Sequence, residues 1–319
     1  MVRTADDFLW ANVQKLNASV FPCCEDWRLF YVENDSTDST NKILRILERT
    51  DHRISGVHLK LHNNHTVEMC HNQTSPNCGT RIRFLSMLRE RVLRLALGWQ
   101  EAELYVMLDA DFHAESFQPE LFWQMFTRVI EACGADGVFP MSRYANGFST
   151  FRCSQMPFGC RLYDYGSVLP STMLSRSMLL ADEIVPVSSG HSGFAMYSVA
   201  SIRRHGASYE EVPTDEFFKA IGDDAATRRK WGIIETMWFN MRLPRLFVLT
   251  KFRPAYGARP GVGTRMPIRE KMNLSAHGIE WNLALQPRTK LKVAKWVLHE
   301  QAIAATRDAG GKKKKEVEE

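Results

Sequence analysis

The stretch LYVMLDADF, residues 104–112, decides how the rest of the chain reads. Five apolar or aromatic residues run without a break from Leu104 to Leu108. So short a run, with no polar alternation, is the pattern of a central strand buried on both faces. Two carboxylates follow at once, Asp109 and Asp111. Residues i and i+2 of an extended chain face the same side, so both acids can approach one hard cation. Mg²⁺ or Mn²⁺ favours one or two carboxylates completed by water and substrate phosphates. The plainer reading is a strand-end pair in which Asp111, or Ser116 beyond it, caps the next helix.

Upstream, YVENDSTDST (31–40) has the same design. An apolar strand over 28–32 ends in Glu33, Asp35 and Asp38. An amphipathic helix follows over 40–47, with Asp38 or Ser39 as its cap. GVHLKL (56–61) alternates like a strand. A polar loop over 62–79 leads to a strong helix over 81–97, and further helix and strand patterns fall at 119–133 and 137–141. A helical spacing also opens the chain at 6–16. Strand and helix in alternation predict an α/β fold with a mostly parallel central sheet flanked by helices. In such sheets ligands bind beyond the carboxyl ends of the strands, where both acidic clusters fall.

The 319 residues suffice for a large core. Hydrophobic residues make up 45% and charged ones 24%, an ordinary globular balance, and the net charge of +5 includes Lys312 to Lys315 in a solvated tail. No apolar run nears the roughly 18 residues that a membrane helix needs. No signal peptide opens the chain, and seven irregularly spaced cysteines read as reduced thiols. These features predict a cytoplasmic protein. The basic residues are not interleaved with aromatics in a nucleic-acid module, which argues against a nucleic-acid partner. The loop holding His58, His62, His65, Cys70 and His71 matches no compact zinc pattern.

Taken together, the VENDSTDST turn, the arginine-rich helix RIRFLSMLRERVLRLAL and the YVMLDADF segment resemble GT-A-fold glycosyltransferases. They are most similar to the fungal capsule mannosyltransferase-like and algal-virus sugar transferase group. The resemblance covers about residues 3–240. It implies a single Rossmann-like domain over 1–308, with a nucleotide-binding half (1–140) and an acceptor half (141–308), before a disordered tail (309–319).

The resemblance further implies that Glu33 and Asp35 line the base and ribose of a UDP- or GDP-sugar. Asp109 and Asp111 would bind the metal, and Asp109 also the ribose. Arg81 and Arg89 fall on the family's two helix arginines, slightly over two turns apart, and guanidinium groups suit a diphosphate. Glu90 stands where the family has Asn. RLYDYGSVL matches a further family segment at Tyr163 and Asp164, and SGHSGFAMYS matches another through Gly193, with His191 replacing an aromatic. Glu235, in IIETMWFNMRL, aligns with a family acid and is the first candidate to deprotonate a saccharide acceptor. Asp215 and Glu216 are the runners-up.

In that fold a strand precedes the VRTADDF turn. Here it is missing or shortened, which predicts unpaired backbone on its neighbours. It also keeps open an upstream anchor and a Golgi lumen location. Two other functions compete with the transferase: a nucleotidyltransferase, for which no glycine-rich phosphate loop is visible, and an inactive, glycan- or partner-binding relative.

Overall fold

In a computed structural model, the structure describes residues 5–34, 36, 38–59, 77–109, 112–140, 143–144, 153–154, 161–162, 167–168, 184–187, 194–210, 239–240, 242–252, 254–256 and 280–287. Helix α1 (Ala5–Ser19) leads into β1 (Cys24–Asn34), α2 (Thr40–Thr50), β2 (Ile54–Leu59), α3 (Asn77–Gly98) and β3 (Leu104–Asp109). Then come α4 (Pro119–Gln124) and β4 (Gly137–Pro140). Strands β5 (Ile184–Val187) and β6 (Phe194–Ser198), helix α5 (Val199–His205), and strands β7 (Leu246–Leu249) and β8 (Glu280–Pro287) complete the main elements.

The eight strands form one sheet in the order β2-β1-β8-β3-β6-β4-β7-β5. It draws four strands from residues 1–140 and four from beyond. The α/β expectation holds; the mostly parallel sheet does not. Only β1 with β2 and β4 with β7 pair in parallel. The antiparallel pairs all involve β5, β6 or β8, which run against the other five strands. The apolar runs of β1 and β3 did not reveal this, because burial on both faces gives the same run whichever way the neighbours point.

The strand expected to be missing leaves no gap. Strand β8 lies between β1 and β3, and it pairs Ala284 with Arg28 on one side and with Tyr105 on the other. Its backbone satisfies the donors and acceptors of both central strands.

Alternate residues of each strand enter two apolar layers. Trp27, Leu29 and Tyr31 of β1 and Leu104, Val106 and Leu108 of β3 pack with α1, α2 and α4. Phe30 and Val32, and Tyr105 and Met107, pack with Leu88, Val92, Leu93 and Ala96 of α3 and with Val199 and Ile202 of α5. All five residues of β3 from 104 to 108 are almost completely buried. Removing a large side chain there costs roughly 2–5 kcal/mol.

The helix expected over 119–133 is α-helical to Gln124 and continues as a π-helical turn over Met125–Glu131. The backbone N–H of Ala132 there reaches back five residues to the carbonyl of Thr127. No helix among the described residues is long and apolar enough to cross a membrane.

Candidate active site

Strands β1 and β3 both run against β8, so they point the same way and their carboxyl ends share one edge of the sheet. The register is tight: Glu280, which opens β8, lies opposite Val32 on one side and Asp109 on the other. Two strand spacings separate Val32 from Asp109, about 10 Å. Glu33 and Asp109, the strand-end acids of the two clusters, thus lie at one edge. Their flanks are firmly held. Phe112 is buried beyond Asp109, in an aromatic knot where Phe117 contacts Phe112, Phe122, Phe194 and Phe252.

The geometry of the first acidic turn is explicit. Glu33 is 1% exposed. Its Oε1 accepts the backbone N–H of Ser36 at 2.7 Å, and its Oε2 accepts the side-chain amide of Asn41 at 3.2 Å. Arg45 Nε donates to Asn41 Oδ1 at 2.9 Å, which turns that amide's N–H groups toward Glu33. Asp38 Oδ1 accepts the N–H of Thr40 at 3.0 Å and so caps α2; Ser39, at the cap position, makes no side-chain cap bond.

Next to Glu33 lies His58 of β2, its partner in the strand register. His58 Nδ1 is 3.4 Å from Glu33 Oε2, and Nε2 is 2.8 Å from the Tyr31 hydroxyl and 3.6 Å from Glu48 Oε2. Burial and then a hydrogen bond to Glu48 push the Tyr31 phenol far above its ordinary range. Tyr31 reaches His58 by laying its ring across Gly56: a Cβ there would meet the ring at 2.5 Å. The sequence puts His58 both in the strand expected over 56–61 and among the histidines set aside as a zinc site, and does not link it to Glu33. Its signal was available in the parallel strand ends, since YVEN and GVHL set Glu33 and His58 side by side.

The arginine helix also resolves in part. Arg81 lies in α3, about 12 Å along the helix axis from Arg89. Arg89 itself is buried on the α3 face of the sheet, where its charge partly offsets the burial that raises the Tyr197 phenol. Glu90 ties α3 to the chain after α5. Its Oε2 accepts the Ser208 hydroxyl at 3.0 Å and the Tyr209 N–H at 2.8 Å, and its Oε1 accepts Arg94 Nε at 3.0 Å.

Asp109 is placed by its backbone at the end of β3. Asp35, Asp111, Asp164, His191, Gly193, Asp215, Glu216 and Glu235 lie outside the described residues. No cluster of three or more His, Cys, Asp or Glu side chains positioned for a metal occurs among the described residues. No protein-family model, curated protein or solved structure matches the chain.

Proposed function

We propose that the chain is a metal-dependent glycosyltransferase, moving a sugar from a UDP- or GDP-sugar to a saccharide hydroxyl. One observation carries this reading. Two acidic strand ends share one carboxyl edge of an α/β sheet, where ligands of such sheets bind: Glu33 follows Val32, and Val32 lies two strand spacings, about 10 Å, from Asp109.

Asp109 and Asp111 are the residues that would hold Mn²⁺ or Mg²⁺, and a two-carboxylate donor set suits a hard ion that keeps water and phosphate ligands. The bound ion would supply positive charge to the departing diphosphate. Arg81, toward the start of α3, is the arginine that would meet the same phosphates. The acceptor hydroxyl attacks the anomeric carbon. In an inverting reaction its proton passes to Glu235, with Asp215 and Glu216 as the alternative bases; a retaining reaction needs no base at that place.

Calorimetric titration with UDP and GDP, with and without Mn²⁺, tests the reading. The expected result is binding of one nucleotide that requires Mn²⁺ and is lost in a folded Asp111→Ala variant. Absence of binding by either nucleotide would overturn it.

A further inference from the structure

We infer that the outer face of α1 and α2 is a docking surface for an anionic phospholipid bilayer. The inference is independent of the transferase reading and concerns where the protein sits. Lys42, Arg45, Ile46 and Arg49 recur at i, i+3, i+4 and i+7, so they share one face of α2, and all four are exposed. Leu44 and Leu47 turn the other way, into the core. The helix has one acid, Glu48, and it is drawn inward: its Oε2 lies 3.6 Å from His58 Nε2 of β2. No acid pairs with Lys42, Arg45 or Arg49 among the described residues.

Helix α1 touches α2 and packs on the same side of the sheet. From Trp10 to Ser19 it carries no acid, and its exposed stripe is Trp10, Gln14 and Asn17, with Lys15 half-buried. The large apolar side chains exposed among the described residues are Trp10 at 49%, Ile46 at 42% and Leu95 at 36%, and the first two belong to these helices. Leu95, on α3, offers a contrast. Its neighbour Arg94 is paired with Glu90 and Glu210, so acids balance the charge beside that apolar group.

The combination selects the partner. A single exposed apolar residue needs no explanation. Basic side chains without acids are drawn to the negative surface of anionic lipids. An exposed Trp and Ile among them gain where the charged surface has an apolar layer beneath it, and Trp suits the headgroup level of a bilayer. A nucleic-acid backbone would reward the three cations of α2 but not Ile46. The face lies flat on the lipid, with no residue crossing the bilayer.

Sedimentation of the full chain with vesicles tests this, using phosphatidylcholine alone and phosphatidylcholine mixed with phosphatidylserine. The variants are Lys42→Gln with Arg49→Gln, Ile46→Ser, and Trp10→Gln. Arg45 is left in place because it holds Asn41. A tail variant replaces Lys312 to Lys315 by Gln, and a DNA duplex serves as a second polyanion. The expected result is binding only to the phosphatidylserine vesicles, weakened by salt. The double charge variant should lose at least about tenfold, and Ile46→Ser and Trp10→Gln about fivefold each. The tail variant should bind like the parent.

Equal binding to both vesicle types, no binding to either, or loss confined to the tail variant would overturn the inference. So would parental binding by the double charge variant or by both apolar variants. Tighter binding to the duplex than to vesicles, indifferent to Ile46→Ser and Trp10→Gln, would replace it with a nucleic-acid surface. Thermal melts that match the parent separate a lost contact from unfolding, and the variants lie on two helices, so one that fails to fold leaves the other to decide.

Discussion

Glu33 and Asp136 are two buried carboxylates at opposite edges of the same sheet, 1% and 2% exposed. Asp136 sits at the amino edge, just before β4. Its Oδ2 accepts the N–H of Arg245 at 2.8 Å, its own N–H donates to the Arg245 carbonyl at 2.8 Å, and its carbonyl accepts from Ser198 at 3.0 Å. Those bonds staple the starts of β4 and β7 and the end of β6. Glu33, at the carboxyl edge of β1, sends its side-chain bonds forward instead, to the N–H of Ser36 and the amide of Asn41 in α2. Burial alone thus does not mark a functional acid. What separates them is the edge each occupies and whether its partners belong to the framework or to a turn.

The largest expected effect lies on the framework side. Asp136→Ala leaves the Arg245 N–H without its side-chain acceptor and costs about 2–3 kcal/mol in denaturant unfolding. Asp136→Asn, which keeps an acceptor oxygen, should recover more than half of that. Equal losses would show that charge, rather than the strand staple, is the source.

Gly56→Ala is next, and it acts on the carboxyl edge. The added Cβ meets the Tyr31 ring at 2.5–2.6 Å. Displacing that buried ring costs about 1–3 kcal/mol. Melting temperatures would read the cost. A variant as stable as its parent would mean that the ring does not need to cross Gly56 to reach His58.

Glu33→Gln keeps an acceptor for Ser36 but removes the charge facing His58. Unfolding should shift by only about 1 kcal/mol. Nucleotide affinity should fall more than this stability change alone accounts for, because the turn loosens while the framework stays. A fall in stability with unchanged affinity would make Glu33 a framework acid like Asp136.

The smallest effect belongs to Glu103, which precedes β3 at the same edge as Asp136. Partial desolvation, then repulsion from Glu25 and Glu131, raises its carboxyl above the ordinary range. A raised acid binds its proton more tightly in the folded state. Its charged form therefore costs stability at neutral pH, and the cost fades as pH falls through the raised value. Glu103→Gln should stabilise slightly at pH 7, with the gain vanishing under mild acid, in melts across that range. A loss at pH 7 would contradict the assignment.

Much of the fold was legible because β1, β3 and the helices after them carry strong periodicity, and their burial matches it closely. The position of β8 was not. EWNLALQP has no neighbour in sequence that points to the slot between β1 and β3, and the pairing is set over about 250 residues of intervening chain. At the site, the acid clusters were visible as strand-end motifs. The commitment of Glu33 to Ser36 and Asn41 was not, since an acidic turn that binds a ligand and one that binds itself share the same residue types. His58 had no visible link to Glu33 until the parallel register of β1 and β2 set the two side by side.

The most direct test is nucleotide release from UDP- and GDP-sugars with a panel of saccharide acceptors. The account predicts Mn²⁺-dependent release from one donor class, abolished in folded Asp111→Ala and retained in folded Asp136→Asn. Release that is absent from the parent protein, or equally lost in both variants, would contradict the claim that the carboxyl edge carries the chemistry and the amino edge only the framework.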